Sequence, residues 1–312
     1  MTSGPLYVAG HRGLVGSAIW REAERRGVEL VGRSHAELDL TVKPDVFAYV
    51  GEVRPSAMII AAARVGGILA NSTYPAEFIS DNLQVQLNLL NAAVHHGVGK
   101  VLFLGSSCIY PKLASQPIRE DSLMTGALEP TNDAYAIAKI AGVMQVQAIR
   151  RQYGLPYVSA MPTNLYGPGD NFDLHSSHVM PAMIRKMHEA KVRGDKDVTM
   201  WGTGTPMREF LHVDDAAKAS LFLLEHYDEP GPINVGTGRD VTIRELAELV
   251  QRVIGFEGVL TWDTSKPDGT PRKLLDTSKI NALGWEPTVT LEDGLRSTYE
   301  WFLRHVDTDA RL

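Results

Sequence analysis

Tyr135 and Lys139 stand four residues apart in Asn132-Asp133-Ala134-Tyr135-Ala136-Ile137-Ala138-Lys139-Ile140-Ala141, a stretch rich in helix formers. At that spacing both side chains leave one face of a helix. A phenol titrates at about 10 and a nearby ammonium favours its phenolate, so the pair can pass a proton near neutrality. An amphipathic helix that merely carries a tyrosine and a lysine has the same spacing. The neighbouring elements therefore decide between the two.

The first of these elements is Leu6-Tyr7-Val8-Ala9, a short apolar run that breaks into Gly10-His11-Arg12-Gly13-Leu14-Val15-Gly16 and an amphipathic stretch ending before Gly27. Strand, glycine turn and helix in that order suit a dinucleotide: the glycines permit close backbone approach, and the helix N-terminus offers free N–H groups to a pyrophosphate. The spacing is G-x-x-G-x-x-G, and a ligand-free glycine turn is the alternative. A second strand is expected at Glu29–Gly32. It runs into Gly32-Arg33-Ser34-His35, with no carboxylate before Glu37 to hold a ribose hydroxyl. Arg12, inside the loop, and Arg33 favour the 2′-phosphate of NADP, although a solvated surface arginine also accounts for Arg33. Asp39-Leu40-Thr41 stands near the adenine side.

Ala57–Ala63 and Val101–Gly105 are continuous apolar runs, as strands buried on both faces of a parallel sheet require. A helical pattern spans residues 76–93, between them. The second run ends in Ser106-Ser107-Cys108-Ile109-Tyr110-Pro111. Ligands of such sheets bind outside the carboxyl ends of the strands, so Ser106 to Cys108 emerge where the nicotinamide end of a cofactor would lie. Small hydroxyl residues there can also be plain turn formers. The Tyr135 helix is expected to end at Gly154, and Tyr157–Met161 reads as a sixth strand, followed by Pro162-Thr163-Asn164-Leu165-Tyr166-Gly167-Pro168. Alternating strands and helices predict an α/β fold with a Rossmann-type doubly wound parallel sheet. Strand, serine loop and Tyr-x-x-x-Lys helix in that order resemble the extended short-chain dehydrogenases/reductases.

Beyond residue 165 the alternation stops, and 312 residues are long for one core, so a smaller C-terminal α/β substrate lobe is expected. The division falls at 1–165 and 166–312, with return segments near 212–240. This half carries His175 and His178, a basic stretch around Lys186, Trp201, and Arg208 in Met207-Arg208-Glu209-Phe210. Val213–Leu224 reads as a returning helix and Ile233–Gly236 as a strand. Thr242-Ile243-Arg244-Glu245 is a capping box opening the helix to Ile254. Lys266–Lys273 is a polar loop too charged to be only a turn. A formal charge of -6 argues against a general nucleic-acid binder. The lone Cys108 excludes an intramolecular disulfide. The absence of a signal pattern or of a long apolar run leads to the expectation of a cytoplasmic protein with no membrane partner.

The chain resembles the GDP-L-fucose synthases, the GDP-4-keto-6-deoxymannose epimerase-reductases. Ala9–Gly13, Val65-Gly66-Gly67-Ile68, Gly105–Pro111, Pro162–Pro168, Met207–Asp215 and Lys266–Asp276 carry the resemblance along nearly the whole sequence. His35 departs from the pattern, since many relatives have a further arginine beyond the second strand. The resemblance implies NADP(H) as cofactor and no metal. It places the cofactor on Gly10, His11, Arg12, Gly13, Leu14, Val15, Gly16, Arg33, Leu104, Gly105, Ser106, Ser107, Lys139, Pro162, Thr163, Asn164, Leu165 and His178. The implied substrate is GDP-4-keto-6-deoxy-D-mannose, held by Lys186, Trp201, Arg208 and Asp268. A guanidinium fork suits a diphosphate, whereas Trp201 could as well serve packing.

The chemistry implied is two epimerisations and one reduction in a single site. The ketone acidifies the hydrogens on sugar carbons 3 and 5, and each inversion needs a base and an acid. By resemblance Cys108 is the base and His178 the acid. Without it, a small buried hydrophobe and a surface loop residue would describe them. Tyr135 would protonate the keto oxygen, Ser106 would share the hydrogen bond to it, and Lys139 would hold the nicotinamide ribose and lower the Tyr135 pKa. A sugar-nucleotide 4-epimerase or dehydratase shares Ser106, Tyr135 and Lys139, but a dehydratase usually has an acid where Cys108-Ile109 stands. A cofactor-sensing protein without turnover is the non-enzyme alternative. Relatives also pair helices equivalent to 76–93 and 135–153, so a homodimer is expected.

Overall fold

The computed structural model describes residues 4–306 except Pro267, which lies in the expected Lys266–Lys273 loop. The first lobe runs β1 (Leu6–Ala9), α1 (Leu14–Arg25), β2 (Leu30–Val31), α2 (Lys43–Val53), β3 (Ala57–Ile60), α3 (Ile68–Thr73), α4 (Pro75–His95), β4 (Lys100–Leu104), α5 (Asp133–Tyr153) and β5 (Val158–Pro162). Strands β1 and β3 are buried at every position, as their unbroken apolar sequences require. The chain continues through β6 (Asn164–Tyr166), α6 (Val179–Arg193), β7 (Asp197–Trp201), β8 (Met207–His212), α7 (Val213–His226) and β9 (Pro232–Val235). It ends with β10 (Asp240–Thr242), α8 (Ile243–Ile254), β11 (Val259–Asp263), β12 (Arg272–Lys273), α9 (Ser278–Ala282) and α10 (Leu291–His305).

The main sheet has the order β2-β1-β3-β4-β5-β9, and each neighbouring pair is parallel. The segment around Tyr157–Met161 is thus the fifth strand in sequence. The sixth member of the sheet is β9, which returns from beyond the substrate half. On one face Ile19 and Ala23 of α1 and Leu221 and Leu224 of α7 cover Val8, Ile59 and Leu102. On the other, Val46 of α2, Leu89 and Leu90 of α4 and Val143 and Val146 of α5 cover Tyr7, Met58 and Phe103. Buried Gln86 of α4 donates to the Ala138 carbonyl at 2.7 Å, joining α4 to α5 one residue before Lys139.

Strand β8 is the centre of the second sheet: it pairs with β10 antiparallel and with β12 and β6 parallel. Because β6 begins at Asn164, the chain changes sheets at Thr163, earlier than the boundary after residue 165 read from the sequence. A separate core joins Met183, Ile184 and Met187 of α6 to Leu246 and Val250 of α8 and Phe302 of α10. The expected capping box is present: Glu245 N donates to Thr242 Oγ1 at 3.0 Å and Thr242 N to Glu245 Oε2 at 2.7 Å. Glu209, fully buried on β8, accepts from the backbone N–H groups of Thr237, Gly238 and Leu275 at 2.5, 2.7 and 3.0 Å. One carboxylate thus ties β8 to the turn after β9 and to the chain after β12.

Candidate active site

Between β1 and α1 the chain turns at Gly10, whose φ of +85° disfavours a side chain, and a Cβ there would lie 2.7 Å from Ala62 N. A Cβ on Gly16 would strike the Gly10 carbonyl, so only glycine lets the helix sit this close to the strand. Gly13 caps α1 without a side-chain hydrogen bond, and the first turn holds no acidic residue. The N–H groups of Leu14, Val15 and Gly16 therefore form a positive cradle that fits a dinucleotide's pyrophosphate. His11 packs on Trp20 with ring centroids 4.9 Å apart, and burial and then Arg12 hold its pKa below the ordinary histidine range. Arg33 lies 5.5 Å from the Tyr49 ring centroid and 4.0 Å from Glu37 Oε1. Glu37 itself accepts from Ser34 N and Oγ at 2.7 and 2.6 Å, which closes the turn after β2.

The carboxyl end of β4 delivers the reactive loop. Leu104 closes the strand, Gly105 N donates to the Ala160 carbonyl at 2.9 Å, and Ser106 caps a single 3₁₀ turn over Ser107–Ile109. Ser106 Oγ accepts from Cys108 N at 3.2 Å, which turns the thiol away from the sheet and toward α5. There Asn132, at the start of α5, donates to Cys108 Sγ at 3.3 Å, and Lys273 of β12 donates to it at 3.6 Å. Burial pushes the thiol up, but the Lys273 charge and the hydrogen bonds from Ser106, Lys273 and Asn132 outweigh it, so its pKa falls below the usual thiol value.

Tyr135 and Lys139 share one face of α5 as their spacing requires, but their electrostatics differ from the expectation. Lys139 is 4% exposed, its Nζ donates to the Leu104 carbonyl at 2.8 Å, and it lies 5.9 Å from the centre of the Tyr135 ring. Burial lowers the lysine to about 8. Tyr135 moves the other way: burial and then the nearby Cys108 raise its pKa, and a hydrogen bond with Ser106 offsets only part of that. The ammonium faces the sheet and the ring, where it cannot overcome desolvation of a phenolate. Tyr135 is therefore a neutral phenol across the physiological range, a proton donor.

His178 is the N-cap of α6, with an exposed side chain whose partial desolvation lowers its pKa. The loop before it is held by Asp173, which accepts from Ser176 N and Oγ at 3.0 and 2.9 Å, and by Gly67 N, which donates to Ser176 O at 2.9 Å. A Cβ on Gly67 would lie 2.6 Å from Ser177 O. The Val65-Gly66-Gly67-Ile68 stretch is glycine-rich because it must meet this backbone. His175, its side chain 89% exposed, takes no part.

The four proposed substrate contacts occupy two places. Trp201, at the end of β7, is 55% exposed, so it does not serve the core; Lys186 of α6 and Lys266 each place Nζ 5.4 Å from its ring centroid. Arg208 of β8 is half-buried, and burial works against its charge while Cys108, Glu129 and Asp268 favour it. Asp268 accepts from Thr203 N at 2.8 Å and Thr203 Oγ1 at 2.9 Å and so fixes the Gly202–Gly204 turn. Pro162 ends β5, and Thr163 and Asn164 donate to the Glu209 carbonyl at 3.2 and 2.8 Å, placing Leu165 in β6 against β8.

Two residues at the sulfur have no distinguishing signal in the sequence, Asn132 and Lys273. Asn132 carried no signal beyond standing at the helix start. The Lys266–Lys273 loop is dense in charge, but only the pairing of β12 with β8 shows which lysine meets the cysteine.

Residues 6–236 match the NAD dependent epimerase/dehydratase family. The chain is 59% identical over 305 residues to GDP-L-fucose synthase 1 of Arabidopsis thaliana, covering 97% of this chain and 94% of that protein. It is 53% identical to GDP-L-fucose synthase of Escherichia coli, covering 98% of this chain and 99% of that one. A GDP-L-fucose synthetase structure from Naegleria fowleri bound to NADP superposes with a TM-score of 0.91 at 27% identity, covering 100% of this chain and 97% of that one. With the glycine cradle, serine loop and Tyr135/Lys139 face in place, the chain belongs to the NAD dependent epimerase/dehydratase family and, within it, to the GDP-L-fucose synthases.

Proposed function

We infer that the protein converts GDP-4-keto-6-deoxy-D-mannose to GDP-L-fucose by epimerising carbons 3 and 5 and reducing carbon 4. One observation supports this most: Cys108, just past the end of β4, accepts hydrogen bonds from Asn132 at 3.3 Å and Lys273 at 3.6 Å, and Tyr135 stands three residues beyond Asn132 in α5, where Cys108 helps to keep it a neutral phenol. A base for C–H protons and an acid for the keto oxygen are the two groups this sequence needs. Cys108 takes the proton from the carbon beside the ketone, the C–H pair moves onto the carbonyl oxygen, and His178 returns a proton to the opposite face. Tyr135 and Ser106 hold that oxygen, and Tyr135 supplies its proton at the final step. NADPH, when bound, supplies the hydride for carbon 4. Arg208 takes the diphosphate, with Lys186, Trp201 and Asp268 on the nucleotide side.

Incubating the protein with NADPH and the keto sugar and following cofactor absorbance tests this against the alternatives. Stoichiometric cofactor oxidation is expected; a 4-epimerase, a dehydratase or a cofactor sensor would give none. Arg12 and Arg33 are proposed to favour the 2′-phosphate, so NADPH outperforms NADH in the same assay. Arg12→Ala narrows that gap by roughly tenfold or more, as loss of a charged hydrogen bond implies; equal specificity constants in the unaltered protein would remove this assignment.

The protein is also proposed to be a homodimer through α4 and α5. These helices pack on each other, yet Leu87, Ile137 and Met144 remain 41%, 47% and 37% exposed on them. Light scattering at micromolar concentration then gives about twice the chain mass of 34.2 kDa; a mass equal to one chain rejects the dimer. Among the described residues no helix is long and apolar enough to cross a membrane.

A further inference from the structure

We propose that Lys273 is a positioning residue for the epimerisations: its ammonium holds the Cys108 sulfur as the thiolate that takes the sugar's protons, while Asn132 fixes the direction of that sulfur. This rests on the proposed function, in which Cys108 is the base. The geometry is specific. Lys273 Nζ lies 3.6 Å and Asn132 Nδ2 3.3 Å from Sγ, on separate elements, and Cys108 N is tied to Ser106 Oγ at 3.2 Å. The carbonyl oxygen of the Asn132 side chain is buried without a partner, so the amide's orientation is set by what its nitrogen donates to.

Lys273 is not a mobile surface lysine that happens to reach the thiol. The residues around it are pinned to the first lobe. Gln116 Nε2 donates to the Arg272 carbonyl at 3.2 Å, Leu274 N donates to Gln116 Oε1 at 2.8 Å, and Ile118 N donates to the Leu274 carbonyl at 2.7 Å. Arg272 Nε meets Asp240 Oδ2 at 2.6 Å, and Leu275 N donates to buried Glu209 at 3.0 Å. With the backbone anchored on both sides, the ammonium is delivered to the sulfur by the fold. The buried Glu209 carboxylate, which also holds the turn after β9, thereby serves the site.

The proton balance follows. The thiolate takes the proton from carbon, forming S–H as C–H breaks, and the released pair moves to the carbonyl oxygen; Lys273 keeps its own protons throughout. The other groups coupled to the sulfur are Arg208, which adds positive charge, and Tyr135, which stays neutral. An ammonium within about 4–6 Å of an acid typically lowers its pKa by roughly 1–3 units.

The chain has one cysteine, so alkylation by iodoacetamide reports Cys108 alone. Its rate is measured against pH for the full-length protein, Lys273→Met and Lys273→Arg. The unaltered protein should reach half its maximal rate below the pH of a free thiol. Lys273→Met should shift the profile upward, cutting the rate at neutral pH by about tenfold for each unit, and Lys273→Arg should restore most of it. Coincident profiles for the unaltered protein and Lys273→Met, both still binding NADPH, would overturn the proposal. If Lys273→Met fails to fold, the unaltered profile decides: half-maximal rate at or above the free-thiol value overturns it, and one well below supports it. This outcome is separate from the proposed function. Deuterium uptake that survives in Cys108→Ser would remove Cys108 as base while leaving the alkylation result standing.

Discussion

Cys108→Ser is expected to slow exchange of the hydrogens on sugar carbons 3 and 5 by roughly 10²–10⁴-fold, the usual worth of a positioned acid–base group. Serine nearly matches cysteine in size and keeps the 3₁₀ turn that Ser106 caps. What is lost is acidity. A thiol titrates at about 8.5 and the site lowers it further, whereas a serine hydroxyl remains un-ionised and is a far weaker base. NADPH binding should survive, because the pyrophosphate cradle at Gly10–Gly16 lies at the end of β1, away from the sulfur. The measurement is deuterium uptake at carbons 3 and 5 in heavy water, with oxidised cofactor or none. Undiminished uptake in Cys108→Ser would show that another group is the base.

Tyr135→Phe should suppress the reduction by a comparable factor, roughly 10²–10⁴-fold, and affect exchange less. Phenylalanine keeps the ring beside the Lys139 ammonium, so the helix face is preserved. It removes the phenol that is the most acidic hydroxyl of the site and yet still protonated at neutral pH: burial first, and then Cys108, raise the Tyr135 pKa. Without it the oxygen at carbon 4 has the Ser106 hydroxyl for a hydrogen bond and no acid to complete the alcohol. NADPH oxidation in the presence of keto sugar measures this. A rate within a fewfold of the unaltered protein would show that Tyr135 is not the proton donor. Because Lys139 titrates at about 8, its ammonium is present below that pH and lost above it.

Much of this arrangement was legible from local sequence. Gly10 and Gly16 reveal themselves because a turn with φ of +85° and a helix packed against a carbonyl each exclude a side chain. The apolar runs of β1, β3 and β4 and the Thr242/Glu245 cap are equally local. Tyr135 and Lys139 are legible from helical spacing together with the glycine turn and the serine loop that precede them in the chain. The electrostatic part was not legible. Spacing places the ammonium beside the phenol but cannot tell that Lys139 Nζ bonds the Leu104 carbonyl of the preceding strand at 2.8 Å, leaving burial to set the Tyr135 pKa. Nor could sequence pair Lys273 with Cys108, since 165 residues separate them and β12 is only two residues long. Sequence leaves Trp201 open between packing and binding; its 55% exposure and the two lysines beside its ring speak against a core role. The sheet change at Thr163 has no local signal: β6 is three residues long, and its new partner, β8, lies more than forty residues on.

The central claim is that one cleft performs proton exchange on Cys108 and reduction under Tyr135, and isotopic labelling of the product tests it most directly. The reaction is run in heavy water with unlabelled NADPH, and the GDP-sugar formed is examined by NMR. The account predicts deuterium at carbons 3 and 5, protium at carbon 4, and one cofactor oxidised for each sugar formed. Product carrying protium at carbon 3 or carbon 5, or solvent deuterium at carbon 4, would contradict it.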